Sequence, residues 1–142
     1  MKTVRLSTPL DLHIHLSDFY DQLVYDGSPE FKDYIPRGLW LTFYEDDKVA
    51  GLANLEPLNN VMWTAHVMLY TSHRGHGSED WGKQAAQYMK DNLGAKKILA
   101  FTPYKAAKKY AERMGFTYID TISRSIQKNN ELMDQYMLEL TL

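Results

Sequence analysis

A chain of 142 residues, 44% hydrophobic and 13% aromatic with a net charge of −2, is long enough to bury roughly two-thirds of its unfolded surface, so one domain over residues 1–142 is expected. The absence of a basic block argues against nucleic acid as a partner, and the lack of cysteine excludes disulfides, thiolate metal sites and a cysteine nucleophile. No apolar run approaches a membrane span and no signal-peptide core is visible, which makes a soluble, cytoplasmic protein without membrane contact the expectation.

Residues 3–6 alternate enough for a short first strand. Thr8-Pro9-Leu10-Asp11 then reads as a helix start, with an N-cap threonine, proline at the first position and an acid in the first turn. Over residues 10–25, Leu12, Leu16, Phe19, Leu23 and Val24 recur at helical spacing and make one face apolar. Gly27-Ser28-Pro29 breaks that helix, and residues 30–34 allow one more helical turn. Residues 39–44 and 49–55 form a hairpin across the polar turn Glu45-Asp46-Asp47-Lys48. Gly51 inside the second strand predicts a bulge or a close backbone approach.

Residues 61–70 form a long apolar strand. The stretch from Tyr70 to Trp81 then turns through Gly75 and Gly77 and opens a helix over 78–92, ended by Gly94. Such a turn gathers free backbone N–H groups at the positive end of a helix dipole. It is either an anion site suited to phosphate or a plain strand-to-helix turn in which glycine only permits positive φ. Residues 97–101 are nearly all apolar and fit a central strand covered on both faces. A helix follows over 105–114 with Gly115 as its cap. Two strands, 116–125 and 132–142, are joined by the loop Gln127-Lys128-Asn129-Asn130. The expected order is β-α-(α)-β-β-β-α-β-α-β-β, a mixed α/β sheet.

That order resembles the GNAT superfamily of N-acetyltransferases, which move an acetyl group from acetyl-CoA to an amine. Arg74-Gly75-His76-Gly77 is similar to the family's pyrophosphate loop, Arg/Gln-x-x-Gly-x-Gly/Ala, between strand four and the next long helix. The run from Ala106 to Phe116, with Tyr110 and Gly115-Phe116, is similar to its second CoA segment, and Gly51 matches the small residue common in strand three. The resemblance implies acetyl-CoA as co-substrate, no metal, and cofactor contacts at Leu69, Thr71, Arg74, Gly75, His76, Gly77, Ser78 and Ala106. It also implies an amine-bearing small molecule or protein as the other partner, with a homodimer or an assembly partner as a further option.

The reaction so implied needs backbone donors for an oxyanion, expected around Leu69 and Thr71, and a route for the amine's proton. Tyr110 occupies the family's usual position for the acid that serves the thiolate. For the base, Glu56 and His66 are the candidates, with a water chain as the alternative. His13 and His15 point to nearly opposite sides of a helix, and His73 with His76 lacks a third ligand. Lys105, Lys108, Lys109 and Arg113 form either a solvated helix face or a patch near the 3′-phosphate of CoA. The acceptor is expected between residues 18–34 and the last two strands, near Asp26, Glu30, Tyr34, Arg124 and Asn130.

Two departures stand out. Glu79 replaces the loop's last small residue and Asp80 follows it; an acid about 5 Å from a pyrophosphate costs roughly 1–3 kcal/mol, a five- to hundredfold loss of affinity. Pro103 stands where the family often has an asparagine for the pantetheine arm, and it supplies no donor. Both departures fit a second reading, a catalytically weak GNAT-like scaffold for binding or assembly, similar to acetyltransferase-like proteins of tailed phages.

Overall fold

The computed structural model describes residues 1–142. Its first segment is strand β1 (Lys2–Leu6), and helix α1 (Pro9–Leu23) follows. Thr8 caps α1: its hydroxyl accepts from the Asp11 N–H at 3.0 Å while the Asp11 carboxylate accepts from the Thr8 N–H at 3.1 Å. This reciprocal box satisfies two donors that a helix end otherwise leaves orphaned. The apolar stripe then docks on the sheet, with Leu16 and Phe19 fully buried and Leu12 and Leu23 beside them. Burial of the first two contributes about 1.5–3 kcal/mol each. The helix ends at Leu23, and Val24 is already extended. The extra turn expected at 30–34 is a 3₁₀ turn, Phe31–Asp33.

Strands β2 (Leu39–Glu45), β3 (Lys48–Pro57) and β4 (Met62–Leu69) form an antiparallel meander. The tight β2–β3 turn places Asp46 at φ 53°, a left-handed conformation that suits Asp and matches strand twist. Helix α2 (Glu79–Asn92), β5 (Lys97–Thr102), α3 (Lys105–Arg113), β6 (Thr117–Lys128) and β7 (Glu131–Thr141) complete the chain. The seven strands make one sheet in the order β1-β2-β3-β4-β5-β7-β6, a mixed α/β fold as expected. The terminal hairpin differs in one respect. Gln127 and Lys128 stay in β6, paired with Leu132 and Glu131, because Asn129 and Asn130 both take left-handed φ and close the turn alone.

Alternation along the strands divides the core between two faces. Leu41, Ala53, Leu55, Leu69 and Ile98 face α2 and α3, with Trp81, Ala85 and Ala111. Trp40, Leu52 and Met68 face α1. The expectation that β5 is covered on both faces fails. Ile98 is buried, but Phe101, on the α1 side, is 39% exposed, because α1 packs on β3 and β4 and leaves β5 open.

Gly51 proves to be both things its position allowed. The β2–β3 register slips beside it, pairing Phe43 with Gly51 but Tyr44 with Val49, which leaves Ala50 as the extra residue of a bulge. A Cβ on Gly51 would also lie 2.1 Å from the Met68 carbonyl oxygen. Gly51→Ala is therefore expected to lower stability by about 1–3 kcal/mol or more through overpacking against β4. Urea unfolding of both proteins checks it, and an unchanged midpoint would contradict the close approach.

Candidate functional site

The site begins where β4 and β5 part. They pair in parallel only at Met62–Lys97, Trp63–Ile98 and Thr64–Leu99. Beyond that, β4 stays with β3 as far as Leu69 and β5 stays with β7 as far as Thr102. The side of β4 from Ala65 to Leu69 that faces β5 is therefore without a strand partner, and its backbone groups line a wedge.

At the wedge's mouth the chain makes a 3₁₀ turn, Thr71–His73, and then the glycine loop. Gly75 and Gly77 have φ +109° and +87°, conformations that strain any side chain. The N–H groups of Gly75, His76 and Gly77 donate to nothing within the chain, which leaves a concave nest of donors before α2. Trp81 anchors that helix: it is buried, stacks on Phe43 at 6.2 Å and donates Nε1–H to the Tyr44 carbonyl at 2.9 Å. These features fit a pyrophosphate. Arg74 folds back and donates Nε–H to the Leu69 carbonyl at 3.1 Å, which occupies that oxygen. Ser78 is buried and its hydroxyl donates to the Gly75 carbonyl at 2.6 Å, so it shapes the loop from inside rather than offering a side chain to a ligand. Thr71 and His76 are exposed at the mouth, and Ala106 lies on the exposed start of α3.

Glu79 does not point away. Its side chain is only 16% exposed and its Oε2 lies 3.5 Å from Arg113 Nε. Its own N–H and then Arg113 and His76 hold the carboxylate below the usual glutamate range. Arg113 also stands over the Tyr110 ring at 5.5 Å. Tyr110 donates its O–H to the Ser78 carbonyl at 3.0 Å. Burial pushes its phenol well above the ordinary tyrosine value, so it stays protonated at neutral pH. An acid, a base and a phenol thus join α3 to the start of α2.

His66 and Glu56 lie on the α1 face. His66 pairs with Asn54 and Glu56 with Thr64, which makes the two diagonal neighbours across β3 and β4. Desolvation, and then the Lys128 ammonium, hold the His66 imidazole below its ordinary value, although the residue keeps exposed surface. Around this face the flanking loops are tied down. Tyr70 donates its O–H to Asp18 at 2.6 Å and contacts His15 Nδ1 at 2.8 Å, which fixes α1 to the end of β4. Asp26 accepts from the Asn129 and Asn130 N–H groups at 2.9 and 2.8 Å and fastens the residues after α1 to the β6–β7 turn.

The structure therefore brings together the loop residues with Tyr110, and His66 with Glu56. It also brings Asp26 to Asn130, while Arg124 sits in the β6 irregularity at φ 49°, its N–H donating to Asp134. Sequence reasoning missed the pairing of Glu79 with Arg113 and the ties made by Tyr70 and Asp26. Only Trp81, a large residue just after the loop, carried a visible local signal of its anchoring role. Among His, Cys, Asp and Glu, no group of three converges as a ligand set.

A split sheet with a donor-rich turn at its mouth suits a protein that holds a phosphorylated ligand along a strand edge. The chain belongs to the acetyltransferase (GNAT) family, whose model matches residues 11–116. Its fold is similar to spermidine N-acetyltransferase from Vibrio cholerae in complex with CoA and spermine, with a TM-score of 0.74, 15% identity, and 99% of this chain and 95% of that one covered. It is also similar to ribosomal-protein-alanine N-acetyltransferase from Brucella melitensis, at a TM-score of 0.75, 16% identity and 99% of each chain. A third likeness is to yncA of Salmonella typhimurium with its cofactor acetyl-CoA, at a TM-score of 0.77, 15% identity, and 100% and 94% of the two chains. At these identities the likeness speaks to the fold. No curated protein sequence matches the chain.

Tyr110→Phe is expected to cost about 0.5–1.5 kcal/mol. The loss is no larger because the Ser78 carbonyl keeps the Trp81 N–H at 3.3 Å. Thermal unfolding reads this as a fall of a few degrees, and an unchanged midpoint would contradict the tie between α3 and the loop.

Proposed function

We propose that this protein is an acetyl-CoA-dependent N-acetyltransferase. The observation that carries the proposal is the set of unpartnered N–H groups at Gly75, His76 and Gly77, placed where β4 leaves β5. In this reading the loop amides hold the pyrophosphate with Arg74 and His76, Ala106 borders the cofactor, and the free edge of β4 receives the rest of it. Backbone groups near Leu69 and Thr71 face the thioester oxygen.

When bound, acetyl-CoA supplies the activated acetyl group. The amine nitrogen forms a bond to the carbonyl carbon and the carbon–sulfur bond breaks. In this reading His66 accepts the proton that the nitrogen sheds; desolvation and then Lys128 hold its pKa below the ordinary histidine value. We assign the base to His66 rather than Glu56, which pairs at the closed end of the wedge. Tyr110 donates to the departing thiolate after giving up its bond to Ser78.

The acceptor is an amine. Relatives on the same fold are named for acceptors as different as spermidine and a ribosomal-protein alanine, and this range leaves the choice to side chains outside the cofactor loop. The Glu79 carboxylate at the start of α2 supports a second reading, in which the same scaffold binds a partner and turns over weakly or not at all.

Millimolar acetyl-CoA separates the two. At a hundred times its dissociation constant it stabilises the fold by about 2.7 kcal/mol, a rise of several degrees in melting temperature for a domain of this size; no rise would overturn the enzyme reading. Glu79→Gln is expected to enlarge the rise, since it removes a negative charge from the start of α2, and an unchanged or smaller rise would show that Arg113 already neutralises it. The acid limb of kcat at saturating acceptor is expected with its midpoint below the ordinary histidine value of about 6.5. The sign follows from His66: its lowered pKa keeps the base free until lower pH. A midpoint above 6.5, or a limb that persists in His66→Gln, would remove His66 as the base.

A further inference from the structure

We infer that the acceptor carries a second, protonated amine, received by a corner of three aromatic rings and one carboxylate formed by Tyr20, Phe31, Tyr34 and Glu56. The inference rests on the acetyltransferase reading and names the acceptor class of that same site.

Tyr20 comes from α1, Phe31 from the following 3₁₀ turn and Tyr34 from just beyond it. The Tyr20 ring lies 5.2 Å from Phe31 at 63° and 4.9 Å from Tyr34 at 41°. The rings are inclined to one another rather than laid in a flat stack. The Tyr20 O–H donates to the Pro29 carbonyl, which holds the segment in place. Phe31 is 41% exposed, so its ring is open to a ligand.

Glu56 projects from β3 on the same side of the sheet as His66. Its stem crosses Gly38, where an added Cβ would lie 2.7 Å from Glu56 Cγ. Its charge is felt by Tyr34, whose phenol is pushed up first by burial and then by Glu56. Glu56 takes part in none of the chain's ion pairs. Arg37 acts on Tyr34, and it forms no ion pair with Glu56. A carboxylate left without a cation, beside aromatic rings, is complementary to an organic ammonium ion.

That ammonium is not the reacting one. The attacking nitrogen must be neutral and must lie at the wedge, beside His66. Glu56 pairs with Thr64, the last β4 residue that still pairs with β5. Diagonal neighbours on adjacent strands stand roughly 7–8 Å apart. A short methylene spacer between two amines covers that separation. The approach is acidic as well: Glu30 pairs with Lys32 and Asp21 with Lys128, while Asp18, Asp26 and Asp33 take part in no ion pair.

Isothermal titration of the CoA-saturated protein with 1,4-diaminobutane and with 1-aminobutane tests the assignment. The diamine is expected to bind at least about tenfold more tightly. Glu56→Gln is expected to bring it down to the level of the monoamine, and Tyr34→Leu to weaken it several-fold. Equal affinities in the unaltered protein, or a diamine preference that survives Glu56→Gln in a variant with a normal unfolding transition, would overturn the inference. The CoA titration that precedes each run reports on the acetyltransferase reading separately. If CoA fails to bind, that reading falls, and the two amines titrated into the free protein still decide whether the corner prefers the dication.

Discussion

The parting of β4 from β5 is the constraint on which the rest of the molecule turns. A parallel ladder that stops at Thr64 and Leu99 leaves two strands each with one neighbour lost and one kept. Because β3 continues along β4 and β7 continues along β5, neither strand is orphaned and the sheet stays whole. The cost is a set of backbone donors and acceptors without strand partners, acceptable where solvent or a ligand can reach them and expensive where they are buried. The close packing of β3 on β4 at Gly51 and Met68 holds one wall of the opening. Trp81, wedged against Phe43 and bonded to the Tyr44 carbonyl, holds the helix that closes its mouth.

Electrostatics at that mouth pull in two directions. The unpartnered loop amides and the start of α2 favour an anion, and Glu79 is itself an anion placed beside them. Its proximity to Arg113 and its lowered pKa show a carboxylate already provided for within the protein. The start of α2 is therefore partly compensated from within the protein, with Arg113 set between Glu79 and the Tyr110 ring. The opposite end of the wedge is arranged differently. There Glu56 takes part in no ion pair, Phe31 is partly exposed, and desolvation and then Lys128 lower the His66 pKa.

Local chemistry was readable from the residues, and long-range geometry was not. The Thr8 cap, the bulge and close approach at Gly51, the β2–β3 hairpin and the order of the elements follow from rules that act over a few residues, whereas Gln127 and Lys128, expected in the last loop, pair within the hairpin. The family resemblance was carried by the same kind of signal, since the Gly75–Gly77 turn and the run from Tyr110 to Phe116 each lie within a dozen residues. The open α1 face of β5 was misjudged because an apolar run looks the same whether one or both faces are covered; where α1 docks decides it. The direction taken by Glu79 depends on Arg113, which lies on another helix. Tyr110 was singled out as an acid, but its bond to the Ser78 carbonyl could be seen only once α3 was set against the loop. The aromatic corner is of the same kind, since Glu56 and Tyr34 meet through the sheet rather than along the chain.

The central claim is that the Gly75, His76 and Gly77 amides hold the pyrophosphate of CoA at the mouth of the wedge. Amide NMR spectra recorded as CoA is titrated into the labelled protein test it most directly. The account predicts that the largest shifts fall on those amides, with further changes along residues 65–69 of β4. Large shifts confined to other surfaces, with the three loop amides unmoved at saturation, would contradict it.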